Sequence, residues 1–168
     1  MASGTIVHPI PPVFDESSEI LILGSFPSVK SREAAFFYGH PQNRFWRVLS
    51  SLLGCEMPQN TDEKRDMLLT HHIALWDVVQ SCEITGSSDA SIKNAVPNDL
   101  RLITDAAHVK AIFTNGATSD KLYRKYCEKQ TGISAVRLPS TSPANAAFSL
   151  QKLIAAWSVI LRSLKTHQ

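Results

Sequence analysis

Five groups of residues in this 168-residue chain have the types and spacing to act on a flat polar ring. The first is Gly24-Ser25-Phe26-Pro27-Ser28, where an apolar run breaks into a turn. The second, Tyr38-Gly39-His40-Pro41-Gln42-Asn43, stands just ahead of a helical pattern. Trp76-Asp77 lies within one apolar run, Asn115-Gly116 closes another, and the last group is Ser140-Thr141-Ser142-Pro143-Ala144-Asn145. They supply backbone amides exposed by small residues, aromatic faces, carboxamides, hydroxyls and one carboxylate. Such a set stacks a planar heterocycle on Phe26 or Tyr38. It reads the ring edge with Gly24, Ser25, Asp77 and Asn115. Pro27, Ser28, Ser140, Thr141, Ser142, Pro143 and Asn145 suit close approach to a phosphate backbone, where hydroxyls and backbone N–H groups bind without bulk.

Other chemistries lack their residues. There is no Gly-x-x-x-x-Gly-Lys loop, no Gly-x-Gly-x-x-Gly fingerprint and no Gly-x-Ser-x-Gly elbow. Cys55, Cys82 and Cys127 form an odd set without Cys-x-x-Cys, which argues for reduced, buried thiols rather than disulfides, zinc or iron–sulfur. His71 and His72 are adjacent, and neighbours on a helix do not converge on a ligand.

The elements that position these groups follow from hydrophobic spacing. Short apolar runs at 19–23 and 73–79 read as buried strands, the first covered on both faces, and those at 109–114 and 133–138 as further strands. Helical spacing covers 44–53, with Phe45, Trp46, Leu49, Leu52 and Leu53 on one face, Asn43 at the cap position and Gly54 as the stop. Further helices are expected at 61–71, from Asn98 to about 107, at 119–129 and at 147–165. A loop is expected over 84–97. Alternating strands and helices predict a single-domain three-layer α/β/α sandwich on a central four-stranded parallel sheet. All strand ends then fall on one side and form one cleft. Residues 1–18, with His8-Pro9-Ile10-Pro11-Pro12, read as an extended arm or poorly ordered lead-in to a domain over 19–168.

Composition is that of a soluble globular protein: 43% apolar, 19% charged and a net charge of +2. No apolar run approaches the roughly 20 residues that span a bilayer, and no secretory signal is visible. An intracellular, cytoplasmic protein is expected, nucleoid-associated if prokaryotic. The charge permits a polyanionic partner without demanding one.

Taken together, Gly24-Ser25-Phe26-Pro27-Ser28, His40-Pro41-Gln42-Asn43-Arg44-Phe45-Trp46 and Leu138-Pro139-Ser140-Thr141-Ser142-Pro143-Ala144-Asn145 resemble the uracil-DNA glycosylase superfamily, and most closely its hypoxanthine-DNA glycosylase family. The likeness spans about 19–160. It implies the same sandwich, a base flipped out of DNA, no cofactor, and excision of deaminated bases, chiefly hypoxanthine, by a monomer. Phe26 stands where mismatch-specific relatives carry a catalytic Asn, and Leu138 and Asp77 stand where uracil-specific ones carry His and Asn. The resemblance therefore carries the catalytic role to Asn43, whose side-chain carbonyl would hold the attacking water. Asp77 would accept from N1–H of hypoxanthine. Excision of uracil or mismatched bases, a binding protein without turnover and an enzyme acting on free nucleosides are the alternatives.

Each residue also has a plainer reading. Asn43 suits a helix cap, Tyr38 ordinary packing, Asp77 a structural hydrogen bond and Asn115 a turn. The 140–145 loop suits the start of the last helix. Trp46 and Trp157 fall on apolar stripes and read as core, while Arg44 and Arg47 are either solvated or near phosphates.

Overall fold

A computed structural model describes residues 4–164. The strands are β1 (Ile6–Val7), β2 (Ile20–Gly24), β3 (Ile73–Asp77), β4 (Val79–Glu83), β5 (Lys93–Pro97), β6 (Ala111–Asn115) and β7 (Ala135–Leu138). The helices are α1 (Val29–Ala34), α2 (Phe45–Leu53), α3 (Thr61–Thr70), α4 (Arg101–Thr104), α5 (Ala117–Tyr126), α6 (Glu128–Thr131), α7 (Leu150–Trp157) and α8 (Ile160–Ser163).

Four parallel strands lie in the order β3-β2-β6-β7, with helices packed against them. Every residue of β2 and β3 is buried, as strands covered on both faces must be. The register pairs Gly24 with Asp77 and Asn115 with Leu138. These polar strand ends therefore share one edge. Trp46 and Trp157 are core, as their stripes predict.

A second sheet was not legible in the sequence. β1, β4 and β5 form an antiparallel sheet in the order β1-β4-β5. The apolar run at 73–79 thus splits at Val78, with its first part in one sheet and its end in the other. Part of the expected 84–97 loop is β5, a partly exposed strand with irregular register against β4. Such a strand has no apolar signature of its own.

The N-terminal segment is extended and belongs to the structure. Val13 and Leu75 exchange both main-chain hydrogen bonds, and Ile10 and Val13 are buried. Helical expectations also need correction: the helix expected at 119–129 is broken at Cys127 into α5 and α6. A helix, α1, follows the first turn directly, because Ser28 accepts the Ser31 N–H and caps it. The helix expected from Asn98 shrinks to α4, because the Asn98 side chain is buried and donates to Asp77 O and Val79 O. The last helix is two pieces, α7 and α8. Among the cysteines, Cys82 and Cys127 are buried, but Cys55 is exposed just past the Gly54 stop of α2.

Candidate active site

The carboxyl ends of β2, β3 and β6, the segment between α1 and α2, and the loop after β7 enclose a cavity of about 380 Å³. That is within the usual size of small-ligand sites. Gly24, Ser25, Phe26, Pro27, Ser28, Tyr38, Asn43, Asp77, Asn115, Ser140, Thr141, Ser142 and Pro143 line it. Asn145 does not. Its side chain donates to Ser140 O and holds the loop's own shape. Trp76 is also absent from the wall, because successive side chains of a strand face opposite ways. Ser31, Phe37, His40, Ser87, Asp89 and Ala144 complete the lining.

Two carboxamides and two hydroxyls form one network behind the cavity wall. Asn115 Nδ2 donates to Tyr38 Oη at 3.2 Å and to Thr141 Oγ1 at 3.0 Å, and Asn115 Oδ1 accepts the Thr141 N–H at 3.0 Å. Thr141, fully buried, donates its hydroxyl to Asn43 Oδ1 at 2.9 Å. The Phe45 N–H donates to the same oxygen at 2.9 Å. The cap position of α2 falls to Arg44 rather than Asn43; Asn43 stands one residue ahead of it, holds the Phe45 N–H with its side chain and also lines the cavity. Its carbonyl already holds two protein donors, which corrects the expectation that this oxygen is open to water. Nδ2 is the group left for the cavity.

Arg44 answers the question its sequence position left open. Its guanidinium donates to the carbonyls of Ser142 at 2.8 Å, Asn145 at 3.1 Å and Phe148. Its backbone N–H donates to Thr141 O at 3.1 Å. One side chain at the head of α2 thus clamps the whole loop after β7.

Tyr38 adopts a left-handed backbone conformation, φ 52°. For a bulky residue this costs on the order of 1–3 kcal/mol and marks a site held by its surroundings. Its ring stacks on Phe45 with centroids 4.1 Å apart, so only the other face is open to a ligand. Burial of the hydroxyl, reinforced by the charge of Asp77, pushes its pKa far above the ordinary tyrosine value.

Asp77 sits at the cavity floor and is 4% exposed. Its Oδ2 lies 2.7 Å from His8 Nε2. Among the described residues no hydrogen bond reaches Oδ1, which lies against Gly24. A Cβ on that glycine would stand 2.4 Å from Oδ1 and 3.0 Å from Tyr38 Oη. Glycine is therefore the residue that lets a carboxylate and a phenol share this corner.

His8, Asp89 and Arg44's clamp are the features the sequence did not reveal. Asp89 accepts the Ser25 hydroxyl at 2.7 Å. Burial raises its carboxyl pKa, the Ser25 hydrogen bond opposes that rise, and the charge of Asp77 adds to it. It comes from a polar turn that looks like any solvated loop, 64 residues from Ser25. No local pattern links the two.

The model of the uracil DNA glycosylase superfamily matches residues 11–162. The chain belongs to that superfamily. Within it, the chain is 35% identical over 150 residues to a protein named hypoxanthine DNA glycosylase from Methanosarcina barkeri, covering 88% of this chain and 93% of that one. A protein of the same name from Methanosarcina acetivorans is 34% identical over 154 residues, covering 90% and 96%. A solution NMR structure from Methanosarcina acetivorans, described as a candidate uracil DNA glycosylase, superposes with a TM-score of 0.79 at 32% identity. It covers 93% of this chain and 96% of that one. The superfamily match begins at residue 11, so His8 lies just outside it.

Proposed function

We propose that this protein is a DNA glycosylase that flips deaminated bases out of DNA, chiefly hypoxanthine, and hydrolyses their N-glycosidic bond. The likeness to two proteins named hypoxanthine DNA glycosylase, over about nine-tenths of the chain, carries the reading. The cavity supports it chemically.

The extruded purine enters between the open face of Tyr38 and Phe26, with its edge toward Asp77 and the β2 turn. The loop from Ser140 to Pro143 borders the DNA backbone, where small hydroxyl residues allow close approach. The flip costs a few kcal/mol, least for a mispaired base. As the bond between C1′ and the ring nitrogen lengthens, positive charge gathers on the sugar and negative charge on the base. Amide donors of the Gly24–Ser28 turn stabilise the departing base; one such donor is worth about 3 kcal/mol. Asn43 Nδ2 donates to the oxygen of a water and holds it beneath C1′. A cationic sugar captures such a water with little prior deprotonation, so placement matters more than basicity.

The direct test incubates the protein with duplex DNA carrying a single deoxyinosine, followed by heating in alkali. Strand scission at the lesion is expected, and an intact strand overturns the proposal. The likeness to the NMR structure favours including uracil and mismatched thymine in the panel. Stronger cleavage at uracil than at deoxyinosine would move the assignment to the uracil-excising branch.

A further inference from the structure

The N-terminal segment brings an imidazole against Asp77 from behind the cavity lining. His8 follows β1, whose partner is β4, and its own N–H donates to Gln80 O at 2.6 Å. The ring lies edge-on to Phe26 at 5.8 Å and tilted against Phe37 at 6.1 Å. The side chain is 2% exposed, and that of Asp77 is 5% exposed. Nδ1 accepts the N–H of Ile10 at 3.2 Å. A nitrogen that accepts carries no proton, so the ring proton sits on Nε2 and is donated to Asp77 Oδ2 at 2.7 Å.

This arrangement settles what Asp77 offers to the cavity. Oδ2 is occupied by a donor and Oδ1 is an acceptor. Deamination of adenine or cytosine converts a bare ring nitrogen, which accepts, into a ring N–H, which donates. A group that only accepts distinguishes the two. It pairs with the N–H of hypoxanthine or uracil and faces the lone pair of adenine or cytosine across an unmade bond. Sites built for one hydrogen-bond pattern reject the wrong partner strongly, because a buried group is left unpaired.

Resting on the glycosylase reading above, we infer that His8 is a specificity-determining positioning residue. It holds the Asp77 carboxylate as a fixed acceptor, so that the cavity takes bases with a ring N–H and refuses adenine and cytosine. Without the imidazole, the carboxylate is free to turn, and no oxygen is fixed toward the ring edge of the base.

The test compares kcat/KM on duplexes carrying hypoxanthine or adenine at one position. His8→Leu removes the donor at similar bulk. His8→Gln returns an amide N–H near the place of Nε2. The hypoxanthine-to-adenine ratio is expected to fall about tenfold or more in His8→Leu and to recover substantially in His8→Gln. An unchanged ratio in a folded His8→Leu protein overturns the inference. If that variant does not fold, Asp77→Asn decides. Its amide presents a donor, so the ratio must fall, and an unchanged ratio overturns the inference equally. If the unmodified protein cleaves at neither lesion nor normal base, the glycosylase reading fails and takes this inference with it. Selective cleavage by the unmodified protein with no response to either substitution sinks the His8 inference alone.

Discussion

Asn43 carries two duties on one side chain, and they use different atoms. Oδ1 accepts from Phe45 N–H and from the Thr141 hydroxyl, while Nδ2 is left for the cavity. Substitution separates the duties. Asn43→Ala removes both, and turnover on deoxyinosine DNA should fall by roughly a hundredfold or more while DNA binding persists. Asn43→Asp keeps the acceptor for both protein donors but replaces the amide N–H by oxygen. If Nδ2 places the water, Asn43→Asp is also inactive and keeps its melting temperature. Activity near that of the unmodified protein would show that an oxygen suffices. Single-turnover cleavage and a thermal melt on each variant supply the comparison.

At the scale of elements, the cavity is an agreement between α2 and the loop after β7, which are remote in sequence. Arg44 donates to carbonyls at Ser142, Asn145 and Phe148, while Asn115 and Thr141 tie the same loop to β6 and to Tyr38. Gly116, at φ 97°, allows the close approach; a Cβ there would stand 3.1 Å from that of Ser140. The planar fork of arginine reaches several acceptors at once, whereas an ammonium does not. Arg44→Lys should therefore cost about 1.5–3 kcal/mol in urea unfolding, the range for charged hydrogen bonds. Proteolytic cleavage between residues 141 and 148 should rise with it. A lysine variant as stable and as resistant as the unmodified protein would remove the clamp from this account.

Across the whole molecule, buried groups that hold protons set the response to alkali. Burial raises Tyr38 and Tyr123, and it lifts the Cys127 thiol to about 11. All three are neutral when protonated, and the unfolded chain gives up these protons at lower pH than the folded one. Their contribution to stability is thus complete below the ordinary thiol value of about 8.5. It is lost progressively as pH climbs through that value and the ordinary tyrosine value of about 10. Urea midpoints measured against pH should decline over this window. Cys127→Ala should flatten its lower part, and tyrosinate absorbance should lag behind that of the unfolded chain. A midpoint constant across the window would contradict the assignment.

Local patterns were enough for much of this protein. Four apolar runs, three of them closed by Gly, Asn or Pro, announce parallel strands, and a parallel sheet must place its polar ends on one edge. Tyr38, Asn43, Asp77, Asn115 and the 140–143 loop meet around one cavity for that reason. The antiparallel sheet was hidden because β1 spans only two residues and β5 is partly exposed, leaving no periodicity to read. Spacing along the chain also says nothing about which lone pair is spent. Only folding brings Thr141 within 2.9 Å of Asn43 across 98 positions and His8 within 2.7 Å of Asp77 across 69. The sequence by itself determined which strand ends carry polar residues toward the cleft. The tertiary structure decided which of their atoms remain free to face a base, because hydrogen-bond partners are chosen by proximity in space.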